Sequence, residues 1–81
     1  MQVEVRLFAG LQRYLPENSS KNSCRMETNQ GDSVKDVLEK LNVPSKKLRG
    51  LMILANGTHA NLDYVLNEGD VLSVFPVIAG G

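Results

Sequence analysis

Several kinds of protein are excluded by what this sequence has little of. A single cysteine, Cys24, cannot close an internal disulfide, so the chain reads as one from a reducing compartment. His59 is the only histidine, and no second imidazole is present to share a metal, so no metal site is expected. Tryptophan is absent and there are only two phenylalanines and two tyrosines, so the place of each ring carries weight. Charge of either sign is not in excess. Nine basic residues balance nine acidic ones, which argues against nucleic acid or an anionic membrane as the main partner. No apolar run approaches the ~20 residues needed to span a bilayer. Met1 leads directly into a strand-like pattern, so no secretory signal is expected and the reading is a cytoplasmic protein. Eighty-one residues predict one domain over 1–81, burying roughly 60–65% of its unfolded surface.

What is present is concentrated at the end, in Val71 to Gly81, VLSVFPVIAGG. It opens as an alternating β-branched strand and finishes as an apolar tail, residues 76–81, with two glycines. Such a pair arises by chance at a given place in roughly one sequence in 200, so it is worth explaining. Frayed ends are usually polar, whereas Val77, Ile78 and Ala79 are not. Glycine lacks a Cβ, so another protein can approach its backbone closely and its carbonyl is open to attack. The expectation is that the working group of the molecule is the carboxylate of Gly81.

From the beginning, Gln2 to Phe8 alternates, with Val3, Val5 and Leu7 on one face and Glu4, Arg6 and Phe8 on the other. Leu11, Tyr14 and Leu15 have a short helical spacing that Pro16 closes. Residues 17–23 are a polar loop, and Cys24 to Thr28 form a weaker edge strand, antiparallel to the first. Ser33 followed by Asp36 approximates a capping box, and Val34, Val37, Leu38 and Leu41 give one apolar helical stripe that Pro44 stops. Residues 45–49 read as a polar connector. Leu51 to Ala55 is a continuous apolar run, expected to be a buried strand, and Asn56-Gly57 predicts a tight hairpin into Thr58 to Ala60. Leu62, Tyr64, Val65 and Leu66 are expected to plug one end of the core, before a turn at 67–70 and the last strand.

This order, β-β-α-β-β-β, predicts an α+β fold with a mixed sheet of about five strands and one main helix on one face. First and last strands that are both strongly apolar belong together in the centre, and the helical connection makes them parallel. That is the β-grasp, or ubiquitin-like, arrangement. Leu72 and Val74 match the inward alternation of the first strand, so Phe75 points outward, as does Phe8. Parallel neighbours bring their C-terminal ends together. Both phenylalanines are therefore expected side by side where the tail departs, as a partner surface.

The stretches VRLFAGLQRYL, GDSVKDVLEKL, LANG, NEGD and FPVIAGG together resemble the MoaD/ThiS sulfur-carrier family, across essentially the whole chain. The most specific element is Gly80-Gly81 on a final strand of this length. The resemblance implies that Gly81 is adenylated by an ATP-dependent, MoeB/ThiF-like activating enzyme and then converted to a thiocarboxylate. ATP and Mg²⁺ belong to that partner, and no cofactor is expected on the carrier. The MoaD branch is the small subunit of molybdopterin synthase and works with a MoaE-like large subunit; the ThiS branch serves thiazole synthesis for thiamine. The length, Leu7-Phe8-Ala9-Gly10 and Phe75-Pro76 are closer to MoaD, whereas VIAGG is closer to ThiS.

The resemblance also implies an apolar docking patch at Phe8, His59 and Phe75, His59 being a departure at a position that is commonly apolar. No catalytic side chain is needed on a carrier, which supplies address and reach while partner enzymes supply the chemistry. A different class remains open: a ubiquitin-like modifier joined through Gly81 to lysines of other proteins. A third is a plain interaction domain. Cys24 reads as a small apolar filler more than as a relay thiol. Lys46, Lys47 and Arg49 read equally as a solvated loop or as a docking site for an acidic partner.

Overall fold

The computed structural model describes residues 1–77. Period-two alternation makes β1, Gln2–Leu7, and its Val3, Val5 and Leu7 are all buried. A 3-10 turn, Leu11–Tyr14, follows Gly10, whose φ of 96° suits a residue without a Cβ. The edge strand β2, Ser23–Glu27, runs antiparallel to β1 with Cys24 opposite Val5. Next comes the helix α1, Val34–Lys40. The short α2, Ser45–Leu48, precedes β3, Leu51–Ala55, and β4, Thr58–Ala60, and β5, Val71–Pro76, completes the sheet. The strand order is β2-β1-β5-β3-β4, with β1 and β5 parallel and the remaining neighbours antiparallel. This is the β-grasp arrangement, with β5 at the centre beside β1.

Both ends of α1 are closed by local chemistry. The Ser33 hydroxyl accepts from the Asp36 backbone N–H, and the Asp36 carboxylate accepts from the Ser33 N–H, so the box is complete with aspartate in it. Two further donors of the first turn, the N–H groups of Val34 and Lys35, reach the carbonyls of Tyr64 and Leu62. At the other end Asn42 takes a left-handed φ of 64°, its N–H bonding to Glu39 and that of Val43 to Leu38. That pattern is a Schellman motif. The helix therefore stops at Asn42, ahead of Pro44, which instead leads into α2.

Three local expectations are corrected. Residues 45–49 are not a plain polar connector: Ser45–Leu48 turns helically and buries Leu48. The run Leu51–Ala55 is not buried throughout, because it alternates in the sheet; Ile53 and Ala55 face the helix while Met52 is 40% exposed. Val65 does not plug the core. It bridges to Ser33 through its backbone and is 54% exposed, leaving Leu66 as the buried member of that segment.

Val34, Val37 and Leu38 have no exposed surface and meet Val5, Leu7, Leu72 and Val74 of the central strands in one cluster. Leu38→Ala should therefore lower stability by about 2–5 kcal/mol, read from the midpoint of urea unfolding. Asp32 ties the approach to this helix to its last turn. Its carboxylate accepts from Lys40 Nζ at 2.7 Å and from the Asn29 N–H at 3.0 Å, and these bonds hold its pKa below the ordinary 3.8. A depressed carboxylate stabilises the fold above its unfolded pKa, and that contribution is lost as the pH falls through the lower folded value. Asp32→Asn should flatten the acid limb of a stability–pH profile below about pH 4.

Candidate functional site

The face of the sheet opposite α1 carries the candidate site. Pairing places Met52 of β3 opposite Phe75 of β5, and the parallel register of β1 with β5 sets Phe8 on the other side of Phe75. The two rings stack with centroids 4.7 Å apart and planes within 8° of parallel. One row across the sheet is thus Phe8, Phe75, Met52. The two rings are half-buried and Met52 is exposed, and all three point away from the core. Below them the next row reads Arg6, Ser73, Leu54, His59. Arg6 is paired with Glu4 on this same face, so the rim nearest the rings on β1 is neutralised.

His59 does not join the rings. It is exposed on the edge strand β4, opposite Leu54, and β3 lies between it and Phe75. The structure therefore unites two of the three residues implied by the resemblance and sets the third at the margin. Met52 and Leu54 fill the space between and were missed in the sequence, because a continuous apolar run carries no period to say which side chains face out. Only the pairing with Phe75 and Ser73 reveals it.

The tail begins beside this row. Pro76 pairs with Leu51 at the start of β3, and the Val77 N–H donates to the Gly50 carbonyl at 2.7 Å, so sheet pairing persists one residue past the end of β5. Val77 is 57% exposed. Ile78, Ala79, Gly80 and Gly81 lie outside the described residues.

The start of β5 is anchored by a network that turn chemistry alone did not disclose. The buried Asp70 carboxylate accepts from Asn56 Nδ2 at 2.8 Å, the Asn67 N–H at 2.9 Å and the Tyr64 hydroxyl at 3.2 Å. Asn56 in turn accepts from the Val71 N–H. Asp70 is therefore a positioning residue: it locks the strand that carries Phe75 to the β3–β4 hairpin. Removing its carboxylate leaves three donors without their acceptor, at a cost of about 1–3 kcal/mol.

Cys24 is half-buried on β2 and packs against the core. Burial pushes its thiol above the ordinary 9.0, so it is a weak nucleophile at neutral pH. Among the described residues, no helix is long and apolar enough to cross a membrane.

Comparison with known proteins agrees with this geometry. The sequence pattern of the Mut7-C ubiquitin family matches residues 1–80. No curated protein matches. SAMP1 from Haloferax volcanii is 25% identical over the whole of both chains, with a TM-score of 0.75. The protein–protein complex of subunits 1 and 2 of molybdopterin-converting factor from Helicobacter pylori contains a chain 25% identical, again covered completely on both sides, with a TM-score of 0.62. A putative molybdopterin converting factor, subunit 1, from Pyrococcus furiosus shares the fold at 24% identity and a TM-score of 0.70, over 95% of this chain and 98% of that one. A family pattern that runs from the first residue to Gly80, on a β-grasp sheet shared with subunit 1 of molybdopterin-converting factor, settles the assignment: the chain belongs to the Mut7-C ubiquitin family.

Proposed function

We propose that this protein carries sulfur on the C-terminal carboxyl group of Gly81 and acts as the small subunit of a molybdopterin synthase. The observation that carries the reading is the apolar row Phe8, Phe75, Met52, which ends where the chain leaves the sheet toward Gly80-Gly81. A partner seated on that row would receive the tail from the same side. The likeness to a subunit 1 held in complex with subunit 2 supports a MoaE-like large subunit as that partner.

A carboxylate is a poor electrophile until one oxygen becomes a leaving group. The Gly81 carboxylate attacks the α-phosphorus of ATP and expels pyrophosphate, forming an acyl adenylate. Hydrosulfide then displaces AMP at the carbonyl carbon, forming the C–S bond as the C–O bond to AMP breaks, and leaves a thiocarboxylate. ATP and Mg²⁺ are handled by a MoeB/ThiF-like activating enzyme, and the carrier contributes an unhindered acyl group and an address. A free Cys24 thiol accords with a cytoplasmic setting.

The second reading is a protein modifier, favoured by the likeness to small archaeal modifier protein 1. Intact-mass spectrometry of the protein from its native cells separates the two. A carrier contains a fraction heavier by one oxygen-to-sulfur exchange at Gly81, whereas a modifier leaves branched tryptic remnants on the lysines of other proteins, residues 50–81 joined through Gly81, because no Lys or Arg follows Arg49. Remnants without any sulfur-bearing fraction would overturn the carrier reading. A sulfur-bearing fraction in cells that make no molybdopterin would move the chain to the ThiS-like branch, whose VIAGG ending it shares.

A further inference from the structure

Asn56 is the one asparagine of this chain that a glycine follows. The pair forms the β3–β4 turn, with φ of 53° at Asn56 and 83° at Gly57, and it is also chemically reactive. The backbone nitrogen of Gly57, giving up its proton to solvent, can attack the side-chain carbonyl carbon of Asn56. A C–N bond forms, the bond from that carbon to Nδ2 breaks, and the nitrogen takes up a proton and leaves as ammonia. Water then opens the cyclic imide to aspartate or, with the main chain rerouted through the side chain, to isoaspartate. No other reactant is consumed. Glycine favours the attack because no Cβ crowds its nitrogen. Both residues are exposed, and the space beside the Gly57 Cα is open.

The fold opposes this reaction by engaging both ends of the amide. Asn56 Nδ2 donates to Asp70 Oδ1 at 2.8 Å, and Asn56 Oδ1 accepts from the Val71 N–H at 2.9 Å. The carbonyl carbon reaches the Gly57 nitrogen only if the side chain swings away and both bonds break. Asp70 is itself fixed, because its Oδ2 accepts from the Asn67 N–H and the Tyr64 hydroxyl. We propose that Asn56 is a site of spontaneous deamidation that the Asp70 carboxylate latches shut. The product cannot be latched again. An acceptor replaces the donor opposite Asp70 Oδ1, so two carboxylates face each other at hydrogen-bonding distance. The start of β5, the strand that carries Phe75, then loses its side-chain tie to the hairpin. This holds whether the chain is a carrier or a modifier.

The test follows amide loss during incubation at mildly alkaline pH, by fragmenting tryptic peptide 50–81 in a mass spectrometer. That peptide contains Asn56 together with Asn61 and Asn67, which serve as internal references. Asp70→Asn keeps the shape of the side chain. Its one oxygen is claimed by the Asn67 and Tyr64 donors, so its amide nitrogen meets Asn56 Nδ2, donor against donor. Asn56 cannot turn over in answer, since the Val71 N–H holds its Oδ1. Leu38→Val weakens the core and leaves the latch intact. Urea titration confirms that each variant is folded. The expected result is that Asn56 of folded wild type reacts at least about tenfold more slowly than in the same chain unfolded in guanidinium chloride, with Asp70→Asn within about threefold of the unfolded rate and Leu38→Val slow. Equal rates in folded and unfolded wild type overturn the proposal, and that comparison decides alone if Asp70→Asn does not fold. An Asp70→Asn rate as low as that of wild type, or equal acceleration by Leu38→Val, also overturns it, since Asp70 would then not be the latch. Earlier conversion of Asn61 or Asn67 would mean that the site is wrong.

Discussion

Deleting Gly81 should reduce sulfur transfer to below about one per cent of wild type while leaving the unfolding midpoint where it was. One residue of extended chain spans roughly 3.3–3.6 Å, so the deletion withdraws the acyl carbon by that distance from any site built to receive it. A misplacement of about 1 Å already costs on the order of 100-fold in a positioned reaction. An extra alanine after Gly81 errs in the other direction, and its Cβ crowds the carbonyl that must be attacked. Neither change reaches the core, whose last buried side chain on β5 is Val74. Activity would be followed as product formed in the reconstituted system, and stability by urea unfolding of each variant. Full activity in either variant would mean that the Gly81 carboxyl group is not the reacting group, and both the carrier and the modifier readings would go.

Much of this architecture was legible because local and global signals agreed. Strict alternation in Val3, Val5 and Leu7, the Ser33–Asp36 box and Asn56-Gly57 each specify backbone geometry within a few residues, and each stands as read. The pairing of Phe8 with Phe75 was also within reach, since it needs only two period-two strands and the parallel rule. What escaped depends on contacts that no short window contains. Asp70 looks like any turn aspartate until Asn56, fourteen positions earlier, is placed beside it. Asn42 ends α1 in a left-handed conformation that asparagine adopts only when the following chain rewards it, here by burying Val43. Residues 45–49 look polar because three of the five are basic. The single Leu48 that anchors α2 is too little periodicity to announce a helix. The outward side of β3 was lost for the opposite reason: LMILA is apolar at every position, so it fits a buried strand until its partners show that one side is bare. The same omission left Met52 out of the candidate interface.

Phe75→Arg should weaken the complex with the large subunit by about 2–4 kcal/mol, or roughly 30- to 1000-fold in Kd. The ring stands in the middle of the apolar row, between Phe8 and Met52, where an interface is driest and truncation costs most. Arginine at that point places a charge among desolvated carbon with no acceptor supplied by its neighbours on this face; Ser73 is small and the Glu4 carboxylate is engaged with Arg6. Loss of the stacked pair should cost the free protein about 0.5–1.5 kcal/mol, which its core can bear because Leu72 and Val74 on the same strand stay sealed. His59→Ala gives the contrast. Being exposed and set apart from the rings by β3, it should change affinity by less than about 1 kcal/mol. Titration calorimetry on the purified pair would measure all three proteins under one condition. If Phe75→Arg binds as tightly as wild type, the sheet face is not the docking surface; if His59→Ala is the more damaging change, the centre of the interface lies on β4.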